Sequence, residues 1–137
     1  MPHFFDFLFV SKILTSAFLA ILFLQSGLDK IFDWSGNLSW LKGHFSKSPL
    51  KNTVPMMLGT ITLVEVFAGA LSAMGLISLL LSGSTTIALW GAELSALGLV
   101  MLFFGQRIAK DYAGAATLVS YFIVSVLAIL LLGGVWG

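Results

Sequence analysis

An all-α integral membrane bundle of four transmembrane helices is the fold class this sequence predicts. Three observations lead there. The 137 residues are 58% hydrophobic and only 9% charged, whereas soluble domains carry roughly 25% charged residues. Their mean hydropathy is +1.03, which is more apolar side chain than a water-soluble fold of this length can hide. The apolar residues also form continuous runs. Barrel strands would instead alternate apolar and polar residues over about 10 positions, so helices are the expected way to cross.

Each span rests on a run of about 20 mainly apolar residues, the length that crosses the hydrocarbon core. The first is expected over about 7–28, through "ILTSAFLAILFL". The second is expected over about 54–73, and the third over about 84–104, inside a longer apolar stretch from Leu76. The fourth is expected over about 115–136. One larger loop, about 29–53, is left between the first two spans, and the whole chain, 1–137, reads as a single transmembrane domain. The first run is expected to stay in the mature protein. The segment "MPHFFDFLFVSK" ahead of it is apolar and contains Asp6, and no clear small-residue cleavage site follows, unlike a secretory signal.

Charge orients the bundle. Lys30, Lys42, Lys47 and Lys51 lie in the first loop, and Arg107 and Lys110 lie between the third and fourth spans. With four spans these loops share a side, and Lys12 alone stands on the other. The excess of Lys and Arg in cytoplasmic loops then predicts both termini on the non-cytoplasmic side. The net charge of +1 argues against nucleic acid, which calls for a basic patch. The absence of cysteine excludes disulfides, thiol catalysis, thiolate zinc sites and iron–sulfur clusters supplied by this chain.

The polar residues inside the spans are the functional candidates. A charged side chain at the bilayer centre costs at least about 2.5–3.5 kcal/mol on insertion scales. Glu65 lies near the middle of the second span, in "TLVEVFAGALSA", and Glu93 near the middle of the third, in "LWGAELSALG". A turn between Gly75 and Gly83 would bring both carboxylates to the same depth. Small residues mark helix contacts in membranes. Ala68, Gly69 and Ser72 share a helical face with Glu65, and Ala96 and Leu97 follow Glu93 on its face, so both glutamates are expected to face the bundle. Two close carboxylates at low dielectric would share a proton. Their candidate partners are Tyr121, in the stripe Thr117, Tyr121, Ser125 of the fourth span; Lys12, Thr15 and Ser16 at one end of the first span; and Gln25 and Lys30 at its other end. The plainer reading is that the glutamates only pack, neutral or hydrogen-bonded.

Other residues carry less. His3 and His44 fall in the N-terminal tail and first loop, unsuited to a bis-histidine haem site within a bundle. Trp34, Trp40 and Trp136 suit an interfacial aromatic belt, while Trp90 is expected to pack in the bundle. Lys42, Lys47 and Lys51 satisfy the positive-inside rule and can also meet anionic headgroups. Arg107, Lys110 and Asp111 in "GQRIAKDYAGA" form a charged turn, read either as a solvated loop or as a docking or ligand rim. "LSAMGL" and "LSALGL" resemble each other and are read as small residues at helix contacts.

The stretch "LQSGLDKIFDW", where the first span gives way to charge, completes a pattern. Gly27, Leu28, Lys30 and Phe32 match a Gly-Leu-x-Lys element followed by an aromatic residue; Glu65, Val66 and Gly69 match a Glu-Val element followed by glycine; Gly75 and Leu76 match a closing Gly-Leu. In these motifs and in layout the chain resembles the DoxX family of four-helix bacterial membrane proteins. Members often carry an arginine early in the first span, near the position of Thr15; here Lys12 is the nearest basic residue, so if that arginine pairs with the second-span glutamate, either Lys12 substitutes or the pairing is lost. The long first loop and the "RIAKDYAGA" turn depart from the general pattern.

The resemblance implies a bacterial inner-membrane protein associated with redox assemblies. The sequence contains no redox-active constellation, so the expectation is a non-catalytic accessory subunit, with no covalently bound cofactor and a quinone as the candidate ligand. Expected partners are the lipid bilayer and other membrane redox proteins or further copies of the chain. Glu65, Glu93, Tyr121, Gln25 and Lys30 are its candidate site, with Arg107 and Asp111 as a loop rim. Lys30 and Asp33 are expected to reach water, with Phe32 and Trp34 at the interface. The alternatives are an assembly or scaffold factor, and a small proton- or cation-linked transporter that uses the two glutamates.

Overall fold

A computed structural model describes residues 6–134. They form five helices and one short 3-10 turn: α1 (Phe7–Phe32), α2 (Trp34–His44), the turn Lys51–Thr53, α3 (Val54–Ser82), α4 (Thr86–Ile108) and α5 (Tyr112–Leu132). Four of them, α1, α3, α4 and α5, are long and apolar enough to cross a membrane. The all-α, four-span fold class therefore holds. Trp136 and His3 lie outside the described residues.

The chain winds up and down. α3 packs along α1 and α4, α5 packs along α4, and α1 touches α5 to close the ring. The core is Leu19 and Phe23 of α1, Ala68 and Leu79 of α3, Ala88, Ala92 and Leu99 of α4, and Ala128 and Leu132 of α5. Its many alanines let the backbones approach, as membrane interfaces favour, since lipid tails remove the hydrophobic drive between helices.

The closest approaches run through glycines. A Cβ on Gly27 would meet Val66, 2.8 Å from its Cγ2. One on Gly69 would meet the Leu24 backbone nitrogen at 2.6 Å, so α1 and α3 touch backbone to backbone. Gly75 abuts the Ala88 backbone, and Gly91 abuts the backbone and hydroxyl of Ser72. The repeated "LSA-GL" segments supply this packing: Ser72, Gly75, Ser95 and Gly98 are all buried.

Local signals set the ends. The Asp6 carboxylate accepts from Leu8 N at 2.8 Å and caps α1; Asp111 accepts from Gly114 N at 2.9 Å and caps α5, each satisfying an amide with no helical partner. Pro55 sits in the first turn of α3, where its missing N–H costs nothing. Gly83, at φ 74°, ends α3 in the left-handed conformation glycine adopts freely.

Three expected boundaries move. The turn expected between Gly75 and Gly83 lies at 83–85, because "LISLLLS" offers no breaker and Gly75 serves close packing instead. α1 continues to Phe32, past the expected end at Leu28. The loop expected over 29–53 is largely helical: it holds the end of α1, all of α2 and the 3-10 turn. α2 buries none of its residues, so it has no core stripe for a sequence reading to detect.

Candidate functional site

Glu65 sits on the buried face of α3, 2% exposed, one turn before the Gly69 contact. That contact and its partner at Gly27 draw the end of α1 against it. Lys30 lies one turn beyond Ser26 on α1, and both side chains turn inward. Lys30 Nζ is 2.8 Å from Glu65 Oε1, with the lysine side chain only 17% exposed. Lys30 Nζ also donates to Ser26 Oγ at 2.9 Å, and Ser26 Oγ donates to Glu65 Oε2 at 2.7 Å. The ammonium meets Oε1 as an ion-pair contact without hydrogen-bond alignment, so that buried oxygen has no aligned donor.

Lys30, expected to reach water, instead turns mostly inward and pairs with the buried carboxylate. Phe32 does stay outside, 82% exposed. The two motif elements, Gly27 with Lys30 and Glu65 with Gly69, form one contact: the glycines permit the approach and the charges fill it. Lys12 is not the partner of Glu65. It lies five turns up α1 from Lys30, about 27 Å away at 1.5 Å per residue.

The other candidates scatter. Gln25 is exposed on α1 and makes no hydrogen bond among the described residues. Tyr121 packs beside the core and faces Phe18, ring centroids 6.1 Å apart, with no hydrogen bond among the described residues. Along its stripe Thr117 is exposed and bonds its own helix at Ala113, while Ser125 is buried and bonds Phe122. Thr15 likewise bonds carbonyls of α1, and the Ser16 hydroxyl is buried with no partner.

Glu93 corrects two expectations. It does not face the bundle: it is exposed, because the buried stripe of α4 runs through Ala88, Gly91, Ala92, Ser95, Gly98 and Leu99, on the other side of the helix. Ala96 and Leu97, the residues that suggested otherwise, lie off the buried stripe. Nor does Glu93 share the depth of Glu65. Gly98 packs against Val64, which sets Glu65 level with that glycine, and Glu93 is about 7–8 Å closer to the α3–α4 turn at 1.5 Å per residue. The two carboxylates neither meet nor share a proton. Trp90, expected in the bundle, stands beside Glu93 at 54% exposed.

A second polar cluster forms where the loops meet. His44 Nε2 is hydrogen-bonded to Gln106 Oε1 at 2.8 Å and lies 3.7 Å from Asp111 Oδ2. Trp40 stacks on the His44 ring at a 4.6 Å centroid distance, and Arg107 lies 4.6 Å over the Tyr112 ring. Arg107 and Asp111 thus line a rim, but one built with His44 rather than with Lys30 and Glu65. His44 is a tether between α2 and the α4–α5 turn. Sequence reasoning missed Gln106, whose partner is 62 positions away with nothing local to betray it, and it undervalued Ser26, which the spacing to Lys30 already placed on the same face.

The Lys30 cluster can hold a hydrogen-bond acceptor. An ammonium has three donors; one is spent on Ser26 and one faces Glu65, and the partial exposure of Lys30 leaves the third towards the membrane edge. Among the described residues no group of three or more metal-ligating side chains gathers anywhere. Comparison with family models, curated proteins and solved structures found no match to this chain.

Proposed function

We propose that this multi-pass membrane protein is a DoxX-like, non-catalytic accessory subunit of a quinone-linked redox assembly in the bacterial inner membrane. The observation that carries the reading is the Ser26–Lys30–Glu65 cluster. It joins the two sequence elements on which the family resemblance rests, and it keeps a buried carboxylate oxygen without an aligned donor beside a part-exposed ammonium. A quinone head group fits the one part-exposed donor: its carbonyl would accept from the Lys30 ammonium, and the ion pair to the buried Glu65 would hold that ammonium in place. When bound, the quinone supplies two-electron and proton exchange with a partner enzyme. This chain's residues bind and orient it, and Ser26 holds the carboxylate in place.

The basic residues support the orientation. The His44–Gln106 contact brings the first loop and the α4–α5 turn to one end of the bundle, gathering Lys42, Lys47, Lys51, Arg107 and Lys110 there. The positive-inside rule then faces that end to the cytoplasm and sends both termini to the other side.

The test is the lipid extract of the protein purified gently from its own membrane. Quinone should be present at near-stoichiometric level in the wild type and lost from Lys30→Met and Glu65→Gln. Preparations consistently free of quinone, with full activity of the assembled partner, would sink the reading.

A further inference from the structure

Glu93 is the one charged side chain the bundle leaves on the membrane-facing surface of α4 between its ends. Thr86, the start of that helix, is seven residues away, so the carboxylate lies about 10 Å down the helix at 1.5 Å per residue. The nearest basic residue of α4, Arg107, is about 21 Å along the axis. Among the described residues Glu93 makes no hydrogen bond and no ion pair. An ionised carboxylate in that position calls for a counter-charge, and the described residues supply none.

The surroundings specify that partner. Glu93 lines an open groove of about 410 Å³ with Leu71, Trp90, Leu94 and Leu97. Trp90 precedes it by three residues, so the indole and the carboxylate share one helical face. Negative charge beside an aromatic π-face is the chemistry that recognises an organic cation. The walls are large residues. Among the described residues the tightest glycine contacts between helices lie instead at Gly27, Gly69, Gly75 and Gly91. The Glu93 face therefore does not invite a partner helix at close range. Small-molecule sites normally enclose most of their ligand, but a ligand arriving from the bilayer keeps its apolar body in lipid. Only its cationic centre needs protein, and a shallow groove suffices.

We propose that the Glu93–Trp90 groove binds a membrane-partitioned organic cation, of the quaternary ammonium or phosphonium class. The site is separate from the Lys30–Glu65 cluster: it shares no residue with Ser26, Lys30 and Glu65, and it does not depend on the quinone reading.

The experiment is equilibrium binding of radiolabelled tetraphenylphosphonium to the full chain in lipid nanodiscs, with empty nanodiscs subtracted. Saturable binding is expected at about one site per chain, displaced by a quaternary ammonium competitor. Glu93→Gln should weaken it at least ten-fold and Trp90→Leu several-fold, both without loss of folding, since each side chain is exposed. Lys30→Met should keep its binding even where it loses quinone. Binding that never saturates, or that is equal in Glu93→Gln and wild type, overturns the proposal. So does a photocrosslinker at Leu97 that joins, in native membranes, to a single protein partner seated over the groove.

Discussion

Removing the Lys30 ammonium while Glu65 stays in place would strand a carboxylate that is 2% exposed. Breaking a buried pair from one side costs about 3–5 kcal/mol, and the partial exposure of Lys30 sets the expectation for Lys30→Met near about 3 kcal/mol. The double variant Lys30→Met/Glu65→Leu should recover most of that loss, because it leaves no charge behind. Reversible denaturation in mixed micelles measures both, and equal losses in the single and double variants would show that the pair contributes by packing alone. The pair was only half legible in the sequence. Glu65 and Lys30 were both marked by charge inside apolar runs, but their pairing depends on two glycines that carry no polar signal. Glu93 shows the reverse error. Its charge was as visible as that of Glu65, yet which side of α4 it occupies is set by a stripe of small residues two positions out of phase with it.

At the scale of the helix, glycine divides into positions that permit contact and positions that only loosen the chain. Gly75 sits against the Ala88 backbone, so Gly75→Leu must push α3 from α4, at an expected cost of about 3 kcal/mol, the upper end for overpacking. Gly43, in α2, would meet nothing within 4 Å of an added Cβ, and Gly43→Ala is expected to gain about 0.5–1 kcal/mol from reduced chain entropy. Unfolding of the two variants by circular dichroism separates these cases; a gain from Gly75→Leu would mean the α3–α4 contact is not as close as described. The spans themselves were readable because about 20 apolar residues leave few choices in a bilayer. Their ends were not. The sequence offers Gly75 and Gly83 as equal turn candidates, and only packing decides that one holds two backbones together while the other turns the chain.

Taken as a whole, the bundle has one end rich in lysine and arginine and one end nearly without them. The absence of cysteine makes single-cysteine variants clean reporters of this arrangement. Lys47→Cys and Lys110→Cys should react with an impermeant maleimide from the same face of inverted vesicles, and Ser84→Cys only from the other. Labelling of Lys47→Cys and Lys110→Cys from opposite faces would break the four-span topology. His44→Cys paired with Gln106→Cys should cross-link with a short bifunctional thiol reagent that spans about 10 Å, since the native side-chain tips meet at 2.8 Å but a direct disulfide needs a shorter Cβ separation; His44→Cys with Ser84→Cys should not.

The spans differ in length, and that difference has a mechanical consequence. α3 has 29 residues and α5 has 21, about 43 Å against about 31 Å at 1.5 Å per residue, across a hydrocarbon layer of about 30 Å. α5 fits upright. α3 must tilt or project, and its first turn can project because Val54 and Leu58 are covered by protein rather than by lipid. Acyl-chain length thus acts as a lever on this molecule: a thicker bilayer draws α3 upright against α1, and a thinner one leans it away, loading the glycine contact that holds Glu65 to Lys30.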